Sequence, residues 1–366
     1  MVEYLTDFFA QLDIPCEAHE VLPGRHNFIA TLAGEDSNKV LLFECHMDTA
    51  SAAVMTIPPF EPHIREGLLY GRGSCDTKAG GVAMIHAMKQ LKEAGIKPPH
   101  TIQYAGAVDE EHFFAGSRHL AANLQVDAAV IAEPSDLDVI RAHKGVVRFN
   151  LVVQGKAAHS SKPHLGINAI AKMARLIVRI EEELGPVYAA RNHPLLGSPT
   201  FSIGVIEGGM QVNFVPDQCR IAVDCRTIPG DSTEGIIGGF REIVARAQAE
   251  DAELEASVEA PYFVCAPLGT EEQAELVQVA SGACEAVLGA ARVAGVPYAT
   301  DGSPFSELGA PAVVLGPGSI DQAHGAVEWV ECEQVLRAVD IYRRIMERGV
   351  SPEYTGFCAP KAVSYT

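Results

Sequence analysis

The sequence predicts an α/β protein with a mixed sheet, interrupted by a smaller α+β domain of ferredoxin-like order. Three observations carry this expectation. Apolar, strand-like runs alternate with helical periodicity through the first part of the chain. Between residues 141 and 259 the order changes to β-α-β-β-α-β, and after 260 the first pattern resumes. A chain of 366 residues is also long for one core. Residues 1–140 and 260–366 are therefore assigned to one discontinuous domain, and 141–259 to an inserted one.

The first domain is organised around Val40–Thr49. Val40, Leu41, Leu42, Phe43 and Cys45 are apolar with only Glu44 between them, which suits a strand buried on both faces. The run stops at His46-Met47-Asp48. In open α/β sheets, ligands gather at the carboxyl ends of strands. A histidine there, with a carboxylate two residues on, could bind a metal; a buried histidine satisfied by its neighbour fits as well. Before it, residues 2–12 read as a short helix and Asn27–Leu32 as a strand. After it come a loop with Pro58, Pro59 and Pro62, the strand Leu68–Tyr70, and the turn Gly71-Arg72-Gly73-Ser74-Cys75-Asp76. Thr77 is placed to cap a helix over Lys78–Ala94, and Gly80-Gly81 would let its first turn approach something closely. These glycines are no dinucleotide fingerprint, because the third glycine and the later acid are misplaced.

Thr101–Val108 is the next strand and ends in Asp109-Glu110-Glu111; Asp127–Ala132 follows and ends in Glu133-Pro134. Three buried-looking strands thus end in acid or histidine. The inserted domain reads as strand Val146–Gln154, helix Gly166–Glu183, strands Thr200–Val205 and Cys219–Arg226, helix Ser232–Ala249 and a strand at Leu254–Glu259. The first domain then closes with helix Glu271–Leu288, strands Arg292–Val296 and Ala312–Leu315, and helix Cys332–Met346. The tail SPEYTGFCAPKAVSYT has no periodicity and is expected to be loosely ordered.

Composition narrows the partners. A net charge of −19 would repel nucleic acid and anionic membrane, so neither is expected. The nine cysteines are odd in number and form no CxxC pair, which argues against a disulfide framework or a thiolate zinc site. The first residues lack a signal peptide's basic start and apolar core, and no apolar run reaches membrane-spanning length. The expected address is a reducing cytoplasm.

The candidates for chemistry are His46, Asp76, Glu110, Glu111, Glu133 and His324. Two imidazoles and three carboxylates make a nitrogen and oxygen donor set suited to zinc, cobalt or manganese. Acids clustered at one sheet edge repel one another unless cations intervene. Two divalent ions sharing one carboxylate would remove that repulsion and activate water, and an acid bound to neither would then act as base. One of Glu110 and Glu111 could ligate while the other faces the water. Alternatively, both could sit in a solvated first turn of a helix.

In order, H-x-D, G-R-G-x-x-D-x-K-x-G, D-E-E, x-E-P-S and a late H over about Arg25–Trp329 resemble metallopeptidase family 20. This is the family of acetylornithine deacetylase, succinyl-diaminopimelate desuccinylase, aminoacylase and the glutamate carboxypeptidases. The resemblance implies a zinc-peptidase-like first domain and an inserted lid and dimerisation domain. It implies one ion on His46 and Glu133, the other on Glu111 and His324, and Asp76 bridging both. Glu110 becomes the general base, Asp48 the partner of the His46 ring, and the Asp76–Thr77 peptide is expected to be cis. The resemblance makes His159, in the run Gly155–Asn168, an oxyanion donor reaching the partner subunit's site. Asn213 and Arg226 match positions that contact the substrate's carbonyl and carboxylate. From the residues alone, His159 is equally a surface histidine beside a turn, and Arg226 a structural partner of Asp224 or Asp231.

The implied protein is a homodimer through its inserted domain. It would carry two divalent ions, zinc first with cobalt or manganese possible, and act on a small N-acyl amino acid or short peptide. The run LGPGSIDQAH most resembles the acetylornithine deacetylase branch, and Thr300-Asp301-Gly302 falls at that family's substrate-side loop. N-acetylornithine is therefore the first expected substrate. The rivals are a dipeptidase or carboxypeptidase on the same site, and an inactive metal-binding regulatory homologue, against which the retention of Glu110 argues.

Overall fold

The structure is a computed structural model, and it describes residues 1–350; the expectation for the tail lies outside the described residues. Two compact units are present. One comprises Met1–Ala142, Leu268–Gly295 and, among the described residues, 300–350; the other comprises His143–Pro267 with Val296–Ala299.

The first unit is built on a nine-stranded mixed sheet. Its order is Cys16–Leu22, Arg25–Leu32, His100–Ala107, Asp36–His46, Ala128–Ile131, Ala312–Val314, Val139–His143 and Leu268–Gly269, with Val293–Val296 also pairing on Val139–His143. The four strands from His100–Ala107 to Ala312–Val314 run parallel, and antiparallel strands flank them. Central parallel strands are covered on both faces, which is why Asp36–His46 is buried continuously from Val40 and Ala128–Ile131 throughout. Leu41, Phe43 and Cys45 share one core with Met84, Met88 and Leu91 of helix Ala79–Ala94 and with Ala338, Tyr342 and Ile345 of helix Cys332–Arg348. Because three ligand-bearing strands are parallel neighbours, their carboxyl ends open at one sheet edge, and His46, the 109–111 turn and Glu133 emerge together.

The second unit has the β-α-β-β-α-β order. Its antiparallel sheet runs Thr200–Gly208, Gln218–Thr227, Gly145–Gln154, Glu255–Val258, with Phe263–Cys265 also on Gly145–Gln154. Val147, Phe149, Leu151 and Val153 alternate onto one face and pack with Met173 and Ile180 of helix Ala169–Ala189 and Phe240 of helix Thr233–Glu250. These helices start later than the apolar pattern implies, because the side chains of Asn168 and Ser232 accept the N–H groups of Ala171 and Gly235 as N-caps.

Several expectations need correction. The unit boundary is at 267 rather than 259, since Phe263–Cys265 still pairs with Gly145–Gln154. The strands Cys16–Leu22 and Val139–His143 and the helix Ala115–Asn123 had no sequence counterpart. Cys16–Leu22 is a sheet-edge strand with no fully buried residue, so it carries no apolar run. Thr77 is not a helix cap. The helix begins at Ala79, and the Thr77 hydroxyl instead donates to the Ala132 carbonyl. The Asp76–Thr77 peptide is cis, as the resemblance implied.

Candidate metal centre

His46 ends its strand buried, with Nε2 3.0 Å from Asp76 Oδ1 and 3.6 Å from Glu133 Oε1. The other oxygen of Asp76, Oδ2, lies 3.1 Å from His324 Nε2, which is also 3.1 Å from Glu111 Oε2. Two groups of three therefore form, His46–Asp76–Glu133 and Asp76–Glu111–His324, joined through Asp76. Within each group the donor atoms lie within 4.8 Å of one another, a span one cation can bridge.

The acids after Ala107 form a turn, with the next helix starting only at Ala115, so they are not the solvated start of a helix. Asp109 takes a left-handed backbone (φ 72°), and Arg25 holds its carboxylate at 2.8 Å. The Asp48 carboxylate accepts the N–H groups of Glu110 and Glu111, each at 3.3 Å, and so fixes the turn from which both glutamates project. This differs from the expected role of Asp48. The His46 ring Nδ1 bonds to the Asp48 backbone carbonyl at 3.1 Å, while the carboxylate stays 3.8 Å away.

Electrostatically the cluster holds more acid than its two imidazoles can offset. Burial first, then the charges of Asp76, Asp301 and Glu111, raise Glu133 to about 8 against the opposing pull of His46. Loss of hydration and then the Glu133 charge push Glu110 well above the ordinary carboxylate range. Hydrogen bonds to Asp76 and Glu111 lift His324 to about 10. Burial alone would raise Asp76, but its bonds to His324 and His46 hold it well below the ordinary range. Glu111 Oε1 is buried without a hydrogen-bond partner. A donor set of two imidazoles and three carboxylates, crowded and left with an orphaned oxygen, fits a pair of divalent cations.

With that geometry in place, comparison with known proteins decides the family. Residues 42–348 match the model of peptidase family M20/M25/M40. The chain belongs to this family. It is 30% identical to the acetylornithine deacetylase of Vibrio campbellii over 360 residues, 94% of this chain and 90% of that one. Among solved structures it is similar to an aminopeptidase, PepT, of Bacillus cereus (TM-score 0.77, 23% identity, 94% of this chain and 91% of that one). It is also similar to a dinuclear metal-binding M20 peptidase of Bacillus subtilis (TM-score 0.71, 18% identity, 94% and 90%). As a member of the M20/M25/M40 family, the chain is a metal-dependent hydrolase of amide bonds.

The remaining matches to the family pattern lie in the second unit. His159 is exposed on the short strand Ala158–His159, paired with Phe214–Val215, and the neighbouring Ser160 N–H donates to the Asn213 carbonyl. His159 and Asn213 are thus brought together. His159 Nδ1 is held by Ser161, 2.8 Å from its hydroxyl and 3.2 Å from its backbone nitrogen. Arg226 Nε donates to Asp224 at 2.7 Å, so the structural pairing is present.

Sequence reasoning named Glu44 and placed Asp301 in a substrate-side loop without seeing that both acids are buried, and it missed the pairing of Arg72 with Glu328. Glu44 shares the His46 face of its strand, and both it and Asp301 are fully buried acids. Burial raises Asp301 to about 6 and Glu44 well above its ordinary value. Arg72 and Glu328 form a buried ion pair behind the Asp76 loop. The G-R-G motif draws attention to Arg72, but nothing around Glu328 in the sequence marks it.

Proposed function

We propose that the chain removes the acyl group from an N-acyl amino acid, with N-acetylornithine the first substrate to try. The observation that carries this reading is the pair of three-residue groups joined through Asp76. In it His46 and Glu133 would hold one ion, Glu111 and His324 the other, and Asp76 would serve both. When bound, two such ions polarise an amide carbonyl and acidify water. Zinc is the first choice, with cobalt or manganese as alternatives.

Glu110 belongs to neither group and is positioned by the Asp48 carboxylate through its N–H. Its carboxylate takes the proton from the attacking water and returns it to the leaving amine. His159, reaching the partner subunit's site, donates to the oxygen that gains charge there. Asn213 joins it in contacting the substrate carbonyl. The Nη atoms of Arg226, left over from its bond to Asp224, pair with the substrate carboxylate. The protein acts as a homodimer through its second unit, where strand Thr200–Gly208 is paired on one side only. A reducing cytoplasm suits the eight free cysteines among the described residues.

The 30% identity to an acetylornithine deacetylase supports the substrate choice. The test is hydrolysis of acetylornithine, succinyl-diaminopimelate and a few dipeptides by the zinc- and cobalt-loaded protein. Preference for acetylornithine is expected. Preference for a peptide would move the reading to a dipeptidase or carboxypeptidase, and no hydrolysis of any amide would overturn it.

A further inference from the structure

We infer that Glu328, together with Arg72, is a positioning pair that preorganises the ion site around His324. The inference rests on the two-ion reading above. The Glu328 carboxylate is fully buried and saturated by four donors. Its Oε1 accepts the N–H groups of Cys75 (2.9 Å) and Asp76 (3.0 Å), and its Oε2 accepts that of Gly73 (3.1 Å) and the Arg72 guanidinium (2.6 Å). Three backbone N–H groups, those of Gly73, Cys75 and Asp76, are thus clamped in the loop that presents Asp76. Arg72 extends the clamp through Nη2, which donates to the carbonyls of Ser51 (3.0 Å) and Gly325 (3.3 Å). One ion pair therefore ties together three segments that each adjoin a site residue: the loop after Asp48, the loop before Asp76, and the stretch after His324.

The clamp matters unequally to the two sites. His46 and Glu133 stand at the ends of buried central strands and are held by the sheet itself. His324 has no such support. It lies outside any strand, in left-handed backbone (φ 58°), with a side chain 60% exposed. Its distance from Asp76 is fixed by what anchors the chain around it, and Gly325 and Glu328 are two such anchors. Strand Trp329–Glu331, paired with Leu68–Tyr70, delivers Glu328 to the clamp. Replacing outer partners that orient ligands in this way typically costs about 10- to 100-fold in metal affinity.

Titration of metal-free protein with cobalt(II), followed by calorimetry, tests the inference, with the unfolding temperature of each metal-free form measured alongside. The wild type is expected to take two ions. In E328Q one ion should bind within ~3-fold of wild type while the other weakens roughly 10- to 100-fold, a split that general loosening would not produce. R72K keeps the backbone bonds of Glu328 but gives up those to Ser51 and Gly325. It should shift the same ion by a smaller factor, and it decides the matter by the same criterion if E328Q does not fold. Equal weakening of both ions, or no change in either, would overturn the inference. A wild type that binds fewer than two ions would sink the metal-centre reading, and this inference with it.

Discussion

Asp76 has an imidazole nitrogen against each of its oxygens, and this arrangement makes protons and cations competitors for the site. Without metal, His324 titrates near 10 because of its bonds to Asp76 and Glu111, and Glu133 near 8 because of burial. Both folded values lie above the ordinary 6.5 and 4.5, so the folded chain holds more protons than the unfolded chain. The stability they contribute is fully present below the ordinary values. It is lost as pH rises through 8 for Glu133 and through 10 for His324. Those protons must leave when a cation binds, so affinity rises with pH. Thermal unfolding with and without zinc should therefore show a larger gain from metal well above pH 8 than well below it; an equal gain would contradict the assignment. Glu110→Ala should lower turnover roughly 10²- to 10⁴-fold while both ions remain by elemental analysis, and full activity in it would refute the mechanism. The six central residues were legible because each ends an apolar run or sits in a recognisable motif. Asp48 was legible only in part. The chain turns after His46, so its carbonyl rather than its carboxylate meets the ring. Glu328 was invisible, since every partner of its carboxylate lies about 250 residues earlier in the chain.

Among the elements, helix Ala79–Ala94 shows how a pattern can be read without its purpose. Two glycines in its first turn announce a close approach, but only the fold reveals what is approached. A Cβ on Gly80 would lie 2.7 Å from both the Cβ and the carbonyl oxygen of Ala132, the residue before Glu133. The Ala132 carbonyl also receives the Thr77 hydroxyl, so helix start, Asp76 loop and Glu133 strand meet there. Gly80→Ala should cost about 1–3 kcal/mol by overpacking and should also weaken metal binding. Thermal unfolding and metal content measure the two effects, and an unchanged melting temperature would contradict the close contact. The long central elements were readable from period alone. The edge strand Cys16–Leu22 and the three-residue Phe263–Cys265 were not, because they are too exposed or too short to carry one.

At the level of the whole molecule, the insertion was readable from the change in element order, while its end was misplaced by one short strand. The homodimer expectation is testable on the outer strand of the second unit. Val205 and Ile206 there are 49% and 55% exposed beside unpaired backbone, an arrangement that invites a second strand. Light scattering should give the mass of a dimer for the wild type and of a monomer for Ile206→Asp; a wild-type monomer would remove the proposed interface.

The place of Ala312–Val314 in the first sheet, between Ala128–Ile131 and Val139–His143, has a consequence for biosynthesis. A ribosome that has released His46, Asp76 and Glu133 has still to translate the entire insertion before this strand, and His324 soon after it, can join them. Closure of the Asp76–Glu111–His324 group therefore waits until the insertion has been translated.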